Sequence, residues 1–329
     1  MRVARLLSFV AAFQAPLIAQ AWLPSQGEGT VSILYQNDID RLHVFSNGRT
    51  KDRGHVYFNA VVLSSDFAPT KRIAISFSLP YMDGKYAGAY PHELVRGQPD
   101  TVVPVDNGSY HGGFQDFRFT MRYALTPNHS WQITPLFQVT VPSHAYPSFG
   151  HAAIGLDEHE YRGGVNVGRR LDPFLPRAFV QGQYAFGASP LVAANIAPKR
   201  SYGELQFGYL VSRRFTVQAS SVLLYSHNGI DLDYNLFPDN LTDEQYLNHD
   251  RISRSRLLDV AGSIAYQANA STNVYVSVGH SLWGINGHLR YLVTTVGFTK
   301  AFSTRKPCEG ASTILPDSTK ATTCTCSKR

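Results

Sequence analysis

The stretch VPSHAYPSFGHAAIGLDEHEYRGG, residues 141–164, holds the densest group of side chains capable of chemistry. Imidazoles and carboxylates carry protons and bind metals, and a loop rich in them can also gate a passage. Their spacing matches no standard ligand pattern such as H-x-x-x-H, so the sequence predicts no metal site and no cofactor. A gate loop and a plain polar external loop therefore both stay open. The gate would use four side chains: Ser143, His144, His151 and Asp157.

The cysteines lie near the C-terminus and offer a second chemical possibility. Cys308, Cys324 and Cys326 leave the rest of the chain without thiols, so no disulfide framework holds the fold. Cys324 and Cys326 could share a metal or a disulfide, but two thiolates are an incomplete zinc site. Residues 303–329 are rich in Ser, Thr and Lys and poor in large apolar side chains, which predicts a disordered tail.

Composition and the N-terminus narrow the class of protein. Charged residues make up only 16% of the 329 residues, and no Lys/Arg-rich run is interleaved with aromatic residues, so a nucleic-acid partner is not expected. Arg2 and Arg5 precede an apolar run that ends at the A-x-A sequence 19–21, typical of a cleavage site. We therefore expect a signal peptide over residues 1–21, with Trp22 as the first mature residue. An N-terminal membrane anchor is the alternative.

The elements that must position these side chains are strands. Apolar and polar residues alternate with a period of two along most of the chain. In GGFQDFRFTMRYALTP (112–127), for example, Phe119 and Met121 alternate with Arg118 and Arg122. Twelve such segments are predicted, at about 29–36, 55–63, 72–82, 113–125, 131–142, 161–170, 177–187, 201–211, 215–227, 256–267, 273–284 and 289–302.

Short and long connections take turns between these strands. The long ones are predicted at about 37–54, 83–112, 143–160, 188–200 and 228–255, with a short link at 285–288 as the exception. Outer-membrane barrels combine short periplasmic turns with longer external loops in this way. The predicted fold class is all-β: a single up-and-down antiparallel transmembrane β-barrel over residues 22–302. Twelve strands lie between a filled small barrel and an open porin, so a partly occluded lumen is expected.

The cost of burying charge in lipid decides which face of each strand points outward. An arginine facing lipid near the bilayer midplane costs about 2–4 kcal/mol, so Arg118 and Arg122 are expected to face a wet lumen. The same argument along the other strands predicts a pore lining of mixed charge. Its members are Asp116, Arg118, Arg122, Arg162, Arg170, Glu204 and Asp259. For each of them the alternative is a structural Arg–carboxylate pair that only rigidifies the wall.

Several segments also resemble known proteins. YLVTTVGFTKAF closes on the aromatic Phe302, similar to the C-terminal signature of bacterial outer-membrane proteins, although here a tail follows it. GEGTVSILYQN, RIAISFSLPYM, GGFQDFRFTMRYAL and VPSHAYPSFGHAAIGLDEHE resemble the transporter group named after the MetA protein of phenol-degradation operons. This resemblance, over residues 27–302, implies a channel or uptake protein in the outer membrane of a Gram-negative bacterium.

An outer-membrane acyl hydrolase is the competing function. In the outer-membrane phospholipase, whose motif resembles H-x-S-N-G, a histidine activates a lipid-facing serine. Here YSHNG places Ser226 before His227, so the order is reversed and the two neighbours point to opposite faces. Enzymatic activity is therefore not favoured, and passage of small polar or aromatic solutes is the expected function. A structural or surface-interaction barrel is the third possibility. The expected partners are outer-membrane lipid, small solutes and the barrel-assembly machinery.

Overall fold

The computed structural model of the protein describes residues 8–9, 21–127 and 130–305. Most of the predicted signal peptide (1–21) and the tail after residue 305 lie outside these residues. The chain is nearly all β. Its strands are β1 (Ser8–Phe9), β2 (Glu28–Val44), β3 (Thr50–Phe67), β4 (Ile73–Ala87), β5 (His111–Phe114), β6 (Phe117–Tyr123), β7 (Trp131–Val141), β8 (Glu160–Arg170), β9 (Ala178–Ala188), β10 (Lys199–Leu210), β11 (Phe215–Ser226), β12 (Arg256–Asn269), β13 (Thr272–Ile285) and β14 (Gly287–Ser303).

These strands form a closed antiparallel barrel. From β2 to β14 each wall segment pairs with the next along the chain, and β14 pairs with β2 to close the wall. One segment is interrupted, because β5 and β6 both pair with β4 and are separated by Gln115 and Asp116. With β1 left out and β5 and β6 counted as one, the fourteen strands give twelve wall segments. The predicted twelve-stranded up-and-down barrel is confirmed.

Helices are few and short within the described residues. Two 3-10 turns, Pro99–Thr101 and Pro104–Asp106, and two α-helices, α1 (Asp243–Leu247) and α2 (His249–Ile252), all lie in connections. No helix in the described part of the chain has the length and apolar character to cross a membrane.

The period-two alternation separates an apolar outer face from a polar interior. In β6 the side chains of Phe119 and Met121 are 47% and 52% exposed on the outside, whereas Arg122 is only 5% exposed. Apolar outward positions recur around the wall: Ile33, Tyr35, Leu63, Ile75, Phe137, Tyr184, Leu205, Phe207, Ile264, Val276, Val278, Val296 and Phe298. A continuous apolar band of this kind matches a barrel surrounded by lipid.

The predicted long connection at 37–54 is wrong. β2 continues to Val44 and β3 begins at Thr50, so a tight turn joins two long strands. Asp38 and Asp40 occupy buried, inward positions of β2. Carboxylates are acceptable there because the interior of the barrel is polar, but in the sequence they hide the end of the strand.

The end of the barrel that carries the long connections, here called the loop end, is covered by a lid. The lid consists of three segments, 88–110, 142–159 and 227–255, which pack against one another and against inward side chains of the strand ends. Together they bury an apolar cluster: Phe45, Val56, Phe58, Ala60, Met82, Tyr86, Val103, Val105, Tyr146, Phe149, Ala152, Ile154, Leu232, Leu241 and Tyr246. Burying each large side chain stabilises the lid by roughly 1.5–3 kcal/mol.

The opposite end, here called the turn end, is narrowed by different groups. The segment before β2 enters the lumen, where the Ala21 amide donates to Gln181 and its carbonyl accepts from Thr134. Gln181 continues into a ladder of side-chain amides with Gln206 and Gln218. The lumen is therefore restricted at both ends, by an apolar lid at one and by amides at the other.

Candidate functional site: the lumen and its lid

A cluster of ion pairs joins the barrel wall to the lid. On the wall, Glu160 accepts a hydrogen bond from Tyr202 with an O–O distance of 2.6 Å and pairs with Arg162. Arg200 lies 3.6 Å from Glu160 and also pairs with Glu158 of the lid. The Arg162 guanidinium lies 3.5 Å from the centre of the Tyr202 ring, a cation–π contact. Since a buried charge without a partner is costly, this cluster fixes the lid to β8 and β10.

A second cluster lies on the other side of the lumen. Arg290 of β14 places Nε 3.3 Å from Asp38 Oδ2 and Nη1 3.2 Å from Asp259 Oδ2. Ser281 donates to Asp259 and accepts the backbone N–H of Arg290 at 3.0 Å. Three wall segments thus present a guanidinium between two carboxylates toward the interior.

Six of the seven predicted pore-lining residues lie on inward faces. The side chain of Arg122 donates to Asp66 at 2.5 Å, and that of Asp116 accepts from Tyr146 of the lid at 2.5 Å. The other four on inward faces are Arg118, Arg162, Glu204 and Asp259.

Arg170 is the exception among the predicted pore-lining residues. Its side chain is 72% exposed at the turn end, 3.4 Å from Asp172. β8 ends at Arg170, so the wall no longer encloses this side chain.

The four predicted gate residues do not form one group. His151 lies within the lid, with its ring stacked 4.4 Å from the ring of Tyr86. Ser143 and His144 instead contact each other at 2.8 Å, and His144 is exposed. Asp157 is half-buried and adopts a positive φ of 49°. The structure therefore brings His151 together with residues that are distant in the sequence.

These distant residues are mainly histidines. Five of the chain's twelve histidines form a row that runs from the lid to the wall. Ring centres are 4.0 Å apart for His92 and His151, 5.4 Å for His92 and His249, and 5.9 Å for His151 and His288. His43 continues the row, 4.5 Å from His288. No motif spacing in the sequence marks this row, because its members come from two strands and three loop segments.

Asp106 anchors the lid end of the row. Its carboxylate accepts backbone N–H groups from His92 at 2.9 Å, from His151 at 3.1 Å and from Ala152 at 3.0 Å, and the His92 ring nitrogen lies 3.2 Å away. Burial opposes ionisation, but the hydrogen bonds and charges from His92 and His151 outweigh it and lower the pKa of Asp106 to about 2. Burial, and then repulsion by His92, lowers the pKa of His151 well below its usual value. Asp106 is thus a carboxylate and His151 a neutral imidazole near pH 7.

A serine–histidine pair does occur on the outer face, but with a different serine from the one that the sequence suggests. The Ser201 hydroxyl lies 2.7 Å from His227 Nε2 and 2.9 Å from the Tyr184 hydroxyl. Within the described residues, no carboxylate or amide side chain hydrogen-bonds the other nitrogen of His227. Ser201 is also only 9% exposed. The pair lacks the orienting group and the accessible nucleophile that acyl transfer requires.

Among solved structures, an outer-membrane channel from Pseudomonas putida F1 has a similar fold, with a TM-score of 0.66 and 12% sequence identity over 88% of this chain and 100% of that one. The chain has the fold of an outer-membrane channel. More distant are the translocator domain of the autotransporter NalP from Neisseria meningitidis and the NanC porin. The NalP domain has a TM-score of 0.49 and 11% identity, over 85% of this chain and 90% of that one. The NanC porin has a TM-score of 0.48 and 9% identity, over 82% of this chain and 98% of that one.

No protein-family model matches the chain, and no curated protein matches it. The likeness to the Pseudomonas channel therefore describes the fold, and the solute has to be argued from the lumen itself.

Sequence reasoning missed several residues that the structure places at the site. Glu160 and Arg200 fall in the predicted connections 143–160 and 188–200, whereas the structure places them at the start of β8 and β10. Arg290 is hidden from a period-two pattern, because a register shift beside it in β14 puts this even-numbered position on the same inward face as the odd-numbered Thr295 and Thr299. The histidine row carried no local signal.

Proposed function

We propose that the protein is an outer-membrane channel of a Gram-negative bacterium that passes small polar or aromatic solutes. The observation that carries the proposal is the combination of an apolar outer band with an interior lined by arginines and carboxylates. Charge of both signs inside a narrow passage sets which solutes enter, as in other pores.

The finer assignment rests on the segments that resemble the MetA transporter group. They include the β6 stretch and segment 142–159, which contribute Arg118 and the lid to the interior. Aromatic solutes suit a lid lined by Tyr86, Tyr146 and Phe149, and polar ones suit the ion-paired wall below it. We also propose outer-membrane lipid around the apolar band and the barrel-assembly machinery as the partner in insertion. A signal peptide over residues 1–21 belongs to the same proposal.

The lid supplies the gate in this proposal. Tyr146 donates to Asp116 at 2.5 Å and accepts the Asp157 amide at 2.9 Å, so one hydroxyl connects the wall and two parts of the same loop segment. Arg251 of the third lid segment donates to the Asp157 carbonyl at 2.7 Å. Opening therefore requires these bonds to break together, which favours a closed resting lumen with brief openings.

Recording from planar bilayers tests the proposal. We expect small, intermittent ion conductance from the full chain. Arg118→Ala removes an inward positive charge and should shift the reversal potential in a salt gradient toward greater cation selectivity. Arg214→Ala, in the exposed turn before β11, is the matched control and should leave the reversal potential unchanged.

Silence of the folded protein across voltages and solutes would count against the channel. Folding is checked separately by the different gel mobility of unboiled and boiled protein. Phospholipid hydrolysis that disappears in Ser201→Ala would instead support the hydrolase, because only that function uses the Ser201 hydroxyl.

A further inference from the structure

We propose that His92, Asp106 and His151 bind one divalent transition-metal ion, with Zn²⁺ as the reference ion, inside the lid. One nitrogen or oxygen donor from each of these residues lies within 4.8 Å of the donors of the other two. The proposal concerns the lid alone and does not depend on whether solutes cross the lumen.

The donor set suits zinc. Two imidazoles and one carboxylate are the protein ligands of many zinc sites that keep a fourth position for water. Bond lengths of 2.0–2.1 Å place two donors on a tetrahedral ion about 3.3 Å apart. His92 Nδ1 and Asp106 Oδ2 already lie 3.2 Å apart. A ring nitrogen of His151 lies within 4.8 Å of the other two donors, so the three side chains would move together on binding the ion.

Groups around His151 orient its ring for metal binding. His151 Nε2 lies 3.0 Å from the carbonyl oxygen of Tyr90, which fixes the proton on Nε2 and leaves the lone pair on Nδ1. Metal-bound histidines commonly donate their second N–H to a carbonyl in this way. The stacked ring of Tyr86 sets the plane of the His151 imidazole.

The carboxylate keeps one acceptor position for the ion. An ionised carboxylate offers about four lone-pair sites. Three backbone N–H groups, from His92, His151 and Ala152, occupy three of them in Asp106. Oδ2 accepts from His92 and His151 and Oδ1 accepts from Ala152, so the fourth position is on Oδ1; an ion bound there would replace the present contact between the His92 ring and Oδ2.

A metal bound here would connect two segments of the lid. His92 and Asp106 belong to segment 88–110 and His151 to segment 142–159, so the ion would cross-link them above the lumen. The expected result is a lid that resists opening and proteolysis more strongly with metal than without it.

The experiment uses the full chain without a polyhistidine tag, with all three cysteines replaced by serine so that tail thiolates do not bind zinc. Zn²⁺ is titrated against a chromogenic chelator, and we expect one tight equivalent per folded chain. Loss of even an outer-sphere partner lowers metal affinity about 10–100-fold, so removing a ligand in His151→Ala should lower it by at least that range. His144→Ala, an exposed histidine of the same segment, is the matched control and should bind as before.

Two further measurements keep the test decisive if His151→Ala folds poorly. Co²⁺ added to the cysteine-free protein should give the visible absorption of a four-coordinate ion with nitrogen and oxygen ligands. Zn²⁺ should also slow trypsin cleavage at lid arginines such as Arg96. Absence of stoichiometric Zn²⁺ binding by the folded protein, or equal binding by the His151 variant, would overturn the site and leave the channel proposal untouched.

Discussion

Asp106 is a single carboxylate on which two loop segments meet. It accepts backbone N–H groups from both sides of the lid, including those of His92 and Ala152. The residue therefore acts on lid stability through ordinary hydrogen bonding, whether or not a metal is bound. Arg200 of the wall likewise joins two lid segments, because it pairs with Glu158 and donates to the Arg251 carbonyl at 2.7 Å. A few buried charges thus hold much of the lid.

Replacing Asp106 should loosen the lid. In Asp106→Asn one of the two oxygens becomes an NH₂ group that cannot accept the backbone N–H groups, so trypsin should cleave the lid faster at pH 7 in buffer with EDTA. Asp100→Asn, an exposed residue of the same segment, is the control and should be cleaved at the wild-type rate. Equal cleavage of both variants would show that the carboxylate does not hold the lid.

The same carboxylate predicts a pH dependence. The pKa of Asp106 is lowered from 3.8 to about 2 in the fold, so its ionised form stabilises the folded state. This contribution, about 2 kcal/mol from the size of the shift, is fully present above pH 4 and is lost as the pH falls through 2. Near-UV circular dichroism of the lid tyrosines should report the loss between pH 4 and pH 2 in the wild type. A wild-type signal that stays constant over this range would contradict the assignment.

At the scale of elements, two aromatic rings lie over glycines of neighbouring strands inside the lumen. A Cβ added at Gly297 of β14 would overlap the ring of Tyr275 in β13, and one at Gly208 of β10 would overlap the ring of Phe179 in β9. Such aromatic–glycine pairs hold the register between strands. They also narrow the turn end, since Tyr275 is buried with Leu34 among the inward side chains.

Gly297→Ala tests this arrangement. The new methyl group would force the Tyr275 ring out of its position, and overpacking of this kind costs roughly 1–3 kcal/mol. Urea unfolding in detergent should therefore have a lower midpoint. Gly262→Ala in β12 is the control, because a Cβ there meets nothing within 4 Å. A midpoint for Gly297→Ala equal to that of the control would show that Tyr275 moves aside freely.

The strands were predictable from sequence for a physical reason that does not extend to the site. An apolar outer face and a polar interior impose a period of two at nearly every position, and β6 shows it residue by residue. The period continues in β2, but its inward Asp38 and Asp40 resemble a loop in the sequence and hid the end of the strand. The lid obeys no such period. His92 and His249 are brought together by burial of loop side chains, and no local pattern records that contact.

Across the whole molecule, the lumen of the barrel is restricted at two places. The lid closes the loop end with an apolar cluster, and Gln181, Gln206 and the segment at Ala21 fill part of the turn end. The buried charges lie between these two restrictions. Which restriction limits conductance can be decided by removing one of them.

Excision of a lid segment separates the two possibilities. Ile230 and Ser253 form a bridge, so the ends of the segment between them lie side by side and residues 231–252 can be replaced by a short glycine–serine linker. The excision removes α1, α2 and Leu232, Leu241 and Tyr246 of the apolar cluster, and single-channel conductance should become larger and continuous. Truncation after residue 305 is the control and should leave conductance unchanged. If the excised protein still shows unboiled gel mobility but no larger conductance, the limiting restriction is the turn end, and Gln206→Ala should then raise conductance where the lid excision did not.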